Sequence, residues 1–239
     1  MNKETEKIKI DRYFELRNAI PDELNKNDIP PIYLSEILPT NKNIKILDIG
    51  CGHGLYMNSL KNIGYENILG VDINKEAIEY CKERDLNVEL IENIENFSKN
   101  NKQKFDFIIL THVIEHIKKD EIIENLKYIK ELLDKNGILY ITTPNAQAQT
   151  GFYWMSEDFT HEFIFTTGSM NYCLKASGLN NVEFLDIYGI ENLRFKILRK
   201  NFIRTYRYLT SIKNRLLGID YHKKSTRIDT WEMKLIAKK

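Results

Sequence analysis

Three short stretches of this 239-residue chain carry residue types at spacings that suit chemistry. In the first, Asp48-Ile49-Gly50-Cys51-Gly52-His53-Gly54, glycines alternate with other residues directly after an apolar run. Glycines at such a place let backbone N–H groups approach a ligand closely, at a helix start that favours negative charge. Asp72 ends the next apolar run, where a carboxylate can accept hydrogen bonds from both hydroxyls of a ribose. The bland alternative is a tight strand–helix turn and a solvated aspartate. The second stretch, His112-Val113-Ile114-Glu115-His116, formally spells a metallopeptidase signature. It follows a buried strand instead of lying on a helix, and that context excludes the peptidase. In the third, Asp158-Phe159-Thr160-His161, a carboxylate stands three residues before an imidazole. Histidine titrates near working pH, and a neighbouring carboxylate can fix its tautomer, so His161 with Asp158 is a candidate general base and His116 its substitute. The plain alternative is that His161 only hydrogen-bonds its own loop closed.

Elements must position these residues. Apolar runs over 44–49, 67–72, 87–91, 105–110 and 137–143 read as strands. Helical patterns over 55–63, 75–84 and 120–133 alternate with them. That alternation implies right-handed βαβ crossovers and a parallel sheet covered on both faces. After Pro144 the rhythm stops, and 145–160 reads as a polar and aromatic loop in which Phe152, Tyr153, Trp154 and Phe159 could wall an acceptor site. A helix over 168–176 and strands over 182–188 and 230–237 follow. The expected organisation is a single domain: an N-terminal helical cap (1–43), a nucleotide-binding core (44–189), a basic helical insert (190–229) and a last strand (230–239).

Hydrophobic residues make up 42% of the chain and aromatics 11%, enough for a real core, which excludes disorder as the whole answer. No apolar run is long enough to cross a membrane, and the first residues hold no secretory signal. Cys51, Cys81 and Cys173 are far apart and odd in number, which fits a reducing cytoplasm better than a disulfide framework. The formal net charge of +1 is unevenly spread: residues 190–227 hold eleven Lys and Arg against Glu191 and Asp220, so that segment carries +9 and the remainder −8. Apolar residues three or four apart make the segment an amphipathic helix. A basic helix on an acidic body points to an anionic membrane surface or a phosphate-bearing substrate, with a location peripheral to the inner membrane face; nucleic acid is the less favoured partner.

The glycine loop reads G-x-G-x-G after an acid, unlike the dinucleotide fingerprint G-x-G-x-x-G. In this it resembles the class I S-adenosylmethionine (SAM)-dependent methyltransferases. The resemblance continues through Gly70-Val71-Asp72-Ile73, through Glu92-Asn93-Ile94, through the strand ending Thr111-His112 with its Val113-Ile114-Glu115-His116 exit, and through Gly137 to Asn145. It covers roughly residues 44 to 185. It implies a doubly wound, mostly parallel seven-stranded α/β sheet of order 3-2-1-4-5-7-6, a Rossmann-like methyltransferase fold, with the basic insert before the last strand. It also implies SAM as cofactor, held by Asp48, Gly50, Cys51, Gly52, Asp72, Ile73, Asn93, Ile94, Thr111 and His112. Asn93 stands where the family usually has aspartate facing the adenine amino group, and its amide oxygen can still accept. His112 replaces the usual first glutamate of the E-x-x-E-H exit. Some ubiquinone-pathway and small-RNA methyltransferases hold a divalent ion there, and His112, Glu115, His116 and His161 are the ligands it would have. A metal is not the favoured reading. The Asp158-Phe159-Thr160-His161 stretch resembles methyltransferases of bacterial cell-surface glycan biosynthesis, which implies O-methylation of a saccharide or sugar-nucleotide. The alternatives are an RNA 2′-O-methyltransferase and a non-catalytic subunit with the SAM fold.

Overall fold

The computed structural model describes residues 12–17, 23–185, 196–218 and 225–239. Strand β4 (Phe105–Thr111) shows how the sequence builds the sheet. Phe107 and Ile109 pack into one core cluster, and Ile108 and Leu110 into the other. Successive side chains of a strand point to opposite faces, so a strand apolar at every position must be buried on both. β1 (Ile46–Ile49) is likewise fully buried. Beside them lie β2 (Ile68–Asp72), β3 (Val88–Leu90) and β5 (Leu133–Pro144), all parallel. β7 (Glu232–Lys238) pairs antiparallel with β5 and with β6 (Asn180–Leu185). The order is β3-β2-β1-β4-β5-β7-β6, as the resemblance implies.

The helices are α1 (Tyr13–Leu16), α2 (Ile32–Ile37), α3 (Leu55–Asn62), α4 (Lys75–Lys82), α5 (Ile94–Asn100), α6 (Ile122–Leu132), α7 (Gly151–Glu157), α8 (Thr167–Ala176) and α9 (Lys196–Leu216). The core-facing stripe of α6 is short but apolar: Leu126, Ile129 and Leu132 are fully buried, and each such side chain contributes about 1.5–3 kcal/mol. Two helices depart from the expected pattern. α5 lies in the stretch 92–104, to which the sequence reading assigns no element; Asn93 caps it by accepting from the Asn96 N–H at 2.8 Å. α7 forms inside the stretch read as loop. The first part of the basic insert and the end of the expected 182–188 strand lie outside the described residues.

Strand polarity brings the carboxyl ends of β1, β2, β4 and β5 to one edge. Asp48 is in register with Gly70 on one side and Ile109 on the other, and Thr111 with Thr142. Every stretch singled out from the sequence leaves the sheet along this edge, where open α/β sheets bind ligands.

Candidate active site

The glycine loop turns between β1 and α3 with Gly50 at φ +71° and Gly54 at φ +78°. A Cβ on Gly50 would lie 2.3 Å from Val113 Cγ2, so both the turn and the close approach require glycine there. The Gly52 N–H donates to Asp72 Oδ2 and the Asn74 N–H to Asp72 Oδ1, each at 2.8 Å. Asp72 is thereby fixed over the loop. Burial pushes its carboxyl up, against these backbone bonds. Asp48 is 1% exposed, its Oδ1 has no partner among the described residues, and burial followed by the Asp72 charge pushes it up to about 7. Ile73 is exposed beside Asp72, open for an apolar ring. Ile94 is buried in the core under α5, and the Asn93 oxygen already accepts from the helix, which leaves it one lone pair for a ligand. Cys51 fills the crowded turn; its hydrogen bond with Cys81 and its burial keep it a protonated thiol.

A cavity of about 300 Å³ opens at the exits of β4 and β5, lined among others by Tyr13, Arg17, Glu115, His116, Trp154, His161 and Trp231. Of the aromatics expected to wall it, only Trp154 does, with Trp231 from the start of β7 at a ring distance of 4.7 Å. Phe152, on α7, and Phe159, just after it, are 85% and 86% exposed.

The three histidines take different roles. His112, at φ +53°, reaches Glu115 Oε1 with Nδ1 at 3.2 Å and Glu232 Oε1 with Nε2 at 2.8 Å. Burial opposes its charge, but the two carboxylates prevail and raise it to about 10, so it is a protonated clamp. Its side chain therefore has no nitrogen left for a cofactor or a metal, in contrast to the expected ligand role. In the Asp158–Thr160–His116 chain, the Thr160 hydroxyl donates to Asp158 Oδ1 at 2.6 Å. His116 Nδ1 lies 2.8 Å from that hydroxyl oxygen and 3.3 Å from the Thr160 carbonyl, so it carries the proton and donates. His161 Nδ1 lies 2.7 Å from the Trp154 carbonyl and is likewise the donor. Both imidazoles thus keep an Nε2 lone pair. Burial lowers both, His116 to about 4.

Asp158 does not hold the His161 tautomer. Its Oδ2 is 3.8 Å from His161 Nε2, and the carboxylate instead accepts from Tyr13 Oη at 2.9 Å and pairs with Arg17. The backbone geometry explains this: the Thr160 N–H and hydroxyl fold back onto Asp158 and turn it toward α1. Asp158 therefore ties the N-terminal helix to the loop after β5. Glu115, fully buried, accepts from Thr143 Oγ1 at 3.0 Å. One ligand atom from each of Glu115, His116 and His161 lies within 4.8 Å of the others. Two neutral imidazoles with fixed tautomers and one carboxylate are a donor set that suits a divalent ion.

Comparison with known proteins bears on this arrangement. The family described as methyltransferase domain matches residues 25–184. The chain belongs to that family. A ubiquinone biosynthesis O-methyltransferase of Pelagibacter ubique is 36% identical over 108 residues, 44% of this chain and 43% of that protein. The mitochondrial protein of the same name from Dictyostelium discoideum is 28% identical over 174 residues, 62% of this chain and 53% of its own. The chain thus spans about half the length of these relatives. An Archaeoglobus fulgidus SAM-dependent methyltransferase structure superposes with TM-score 0.66 at 22% identity, over 96% of this chain and 100% of that one, which establishes the shared fold.

Proposed function

We propose that the protein transfers the methyl group of SAM to a hydroxyl oxygen, with Asp48, Asp72 and the Gly50–Gly52 turn holding the cofactor and the acceptor seated between Trp154 and Trp231. The observation that carries the reading is the pair of imidazoles at the cavity, both with Nδ1–H engaged and Nε2 unprotonated. His161 Nε2 takes the hydroxyl proton, the acceptor oxygen forms a bond to the methyl carbon, and the carbon–sulfur bond breaks to leave a neutral thioether. His161 is the better base, since the deeper lowering of His116 makes that imidazole weakly basic. Most of the acceleration comes from aligning the two reactants. If a divalent ion were held by Glu115, His116 and His161, the His161 Nε2 lone pair would be a ligand instead of the base, and the ion would supply Lewis-acid activation of the hydroxyl in its place.

Two acceptor classes follow from different supports. The Asp158-Phe159-Thr160-His161 stretch, whose network borders the cavity, supports a sugar hydroxyl; the names of the curated relatives support a ring hydroxyl of a quinone precursor. The test is formation of S-adenosylhomocysteine by purified protein against sugar-nucleotides and hydroxylated aromatic rings, with and without a divalent ion. Turnover with neither class, or with amine acceptors only, would defeat the proposal.

A further inference from the structure

Helix α9 runs for 21 residues, KILRKNFIRTYRYLTSIKNRL, about 31 Å, without one acidic side chain. At 100° per residue, Leu198, Phe202, Leu209 and Leu216 fall on one stripe. In a helix on the surface of a globular protein such a stripe faces the core. Here it faces away: the four are 67%, 71%, 58% and 81% exposed. Toward the body α9 turns its polar side, where Arg207 pairs with Asp229 at 2.6 Å and donates to the Arg227 carbonyl at 3.1 Å. A hydrogen bond between Gln149 and Tyr206 adds a second tie, to the loop after β5. The helix is therefore attached by its polar face and presents its apolar face outward.

The exposed apolar face continues from that stripe through Ile212 and Tyr208, 42% and 67% exposed, to Arg204 and Arg215 on one side, and meets Lys213 on the other, all three basic residues exposed. An apolar stripe flanked by cations is the arrangement that lies in the headgroup plane of a bilayer, with apolar residues in the acyl boundary and basic heads among anionic headgroups. A second copy of the chain fits less well, because it would bring two like-charged borders together. A nucleic acid would use the cations and leave the apolar stripe in water. Among the described residues no helix is long and apolar enough to cross a membrane, so the contact is with the surface.

We propose that α9 is an in-plane anchor that docks the protein on anionic lipid bilayers. Its ties run to the loop after β5 and to Asp229, two residues before Trp231, so the helix is fastened to the body beside the cavity. The test is co-sedimentation of the full chain with vesicles of phosphatidylglycerol and phosphatidylcholine, and with phosphatidylcholine alone, at low and high salt. Binding should be at least about tenfold stronger to the anionic vesicles and should weaken with salt. Phe202→Ala with Leu209→Ala, and separately Arg204→Glu with Arg215→Glu, should each cut it by about tenfold or more, while circular dichroism and S-adenosylhomocysteine affinity stay at wild-type values. Absence of vesicle binding, equal binding to neutral vesicles, or indifference to the apolar pair would overturn the proposal. So would a dimer in sedimentation velocity that the apolar pair dissolves.

Discussion

The buried carboxylate of Asp48 makes a prediction with two effects of opposite sign. Its carboxyl is raised from 3.8 to about 7 by burial and by Asp72. An acid whose folded value lies above its unfolded one holds its proton more tightly in the folded state. Its ionisation therefore costs nothing below about pH 4, and the cost grows as pH rises and is complete above about pH 7. At about 1.4 kcal/mol per pH unit, and allowing for relaxation around the charge, Asp48→Asn should stabilise the ligand-free protein by about 3 kcal/mol at pH 8 and about 1 kcal/mol at pH 5. The same substitution should weaken the cofactor. SAM carries a sulfonium and an ammonium, and Asp48 meets no cation of its own among the described residues. Losing a charge-assisted contact costs about 1.5–3 kcal/mol, roughly a 10- to 150-fold rise in Kd. Urea denaturation at the two pH values gives the first quantity and titration calorimetry with SAM the second. A variant no more stable at pH 8 than the wild type refutes the burial argument. Unchanged SAM affinity refutes the assignment of Asp48 to the cofactor.

Asp72→Ala should weaken SAM at least about tenfold in calorimetry, and the ligand-free protein should melt lower because the Gly52 and Asn74 N–H groups lose their acceptor. His161→Ala should lower kcat by about 10²–10⁴ with SAM affinity nearly constant; a fall under about threefold would transfer the base role to His116. Gly50→Ala adds a left-handed residue and a clash with the short, stiff Val113 side chain, so chemical denaturation should show a loss of about 2–4 kcal/mol. Gly64→Ala, at φ +94° but with open space around it, should lose only the backbone part, about 1–2 kcal/mol.

The cofactor half of the site was legible because its residues are local in sequence and strand polarity carries them to one edge. An acid, spaced glycines and a second acid at the end of the next apolar run need no long-range information beyond a parallel sheet. The acceptor half was legible only in its residue types. His112 meets Glu232 across 120 positions because β7 runs antiparallel beside β5, a pairing that leaves no local signal around Glu232. Tyr13 reaches Asp158 across 145 positions, from a helix of four residues. Once Arg17 and Tyr13 claim Asp158, the His161 tautomer falls to a backbone carbonyl, which residue types cannot reveal. α7 escaped detection for a simpler reason: a short helix whose aromatics Phe152, Tyr153 and Trp154 are consecutive, with only Gly151 buried, has no apolar period.

The distribution of charge along the edge separates the two halves physically. On the acceptor side the three buried carboxylates have internal cations: Glu115 and Glu232 share His112, Glu232 also meets Lys234 at 3.2 Å, and Asp158 has Arg17. That buried network balances its charges internally before any substrate arrives, which suits an uncharged hydroxyl and leaves the two Nε2 lone pairs unprotonated. On the cofactor side Asp48 and Asp72 repel one another, and among the described residues no lysine or arginine pairs with either. A ligand with two positive centres relieves that repulsion, and a neutral nucleotide does not. The assignment of Asp48 and Asp72 to SAM thus accounts for two acids kept side by side at a cost in stability. It also favours turnover: transfer of the methyl group removes the sulfonium charge, so the product is held by one cation fewer than the cofactor that replaces it.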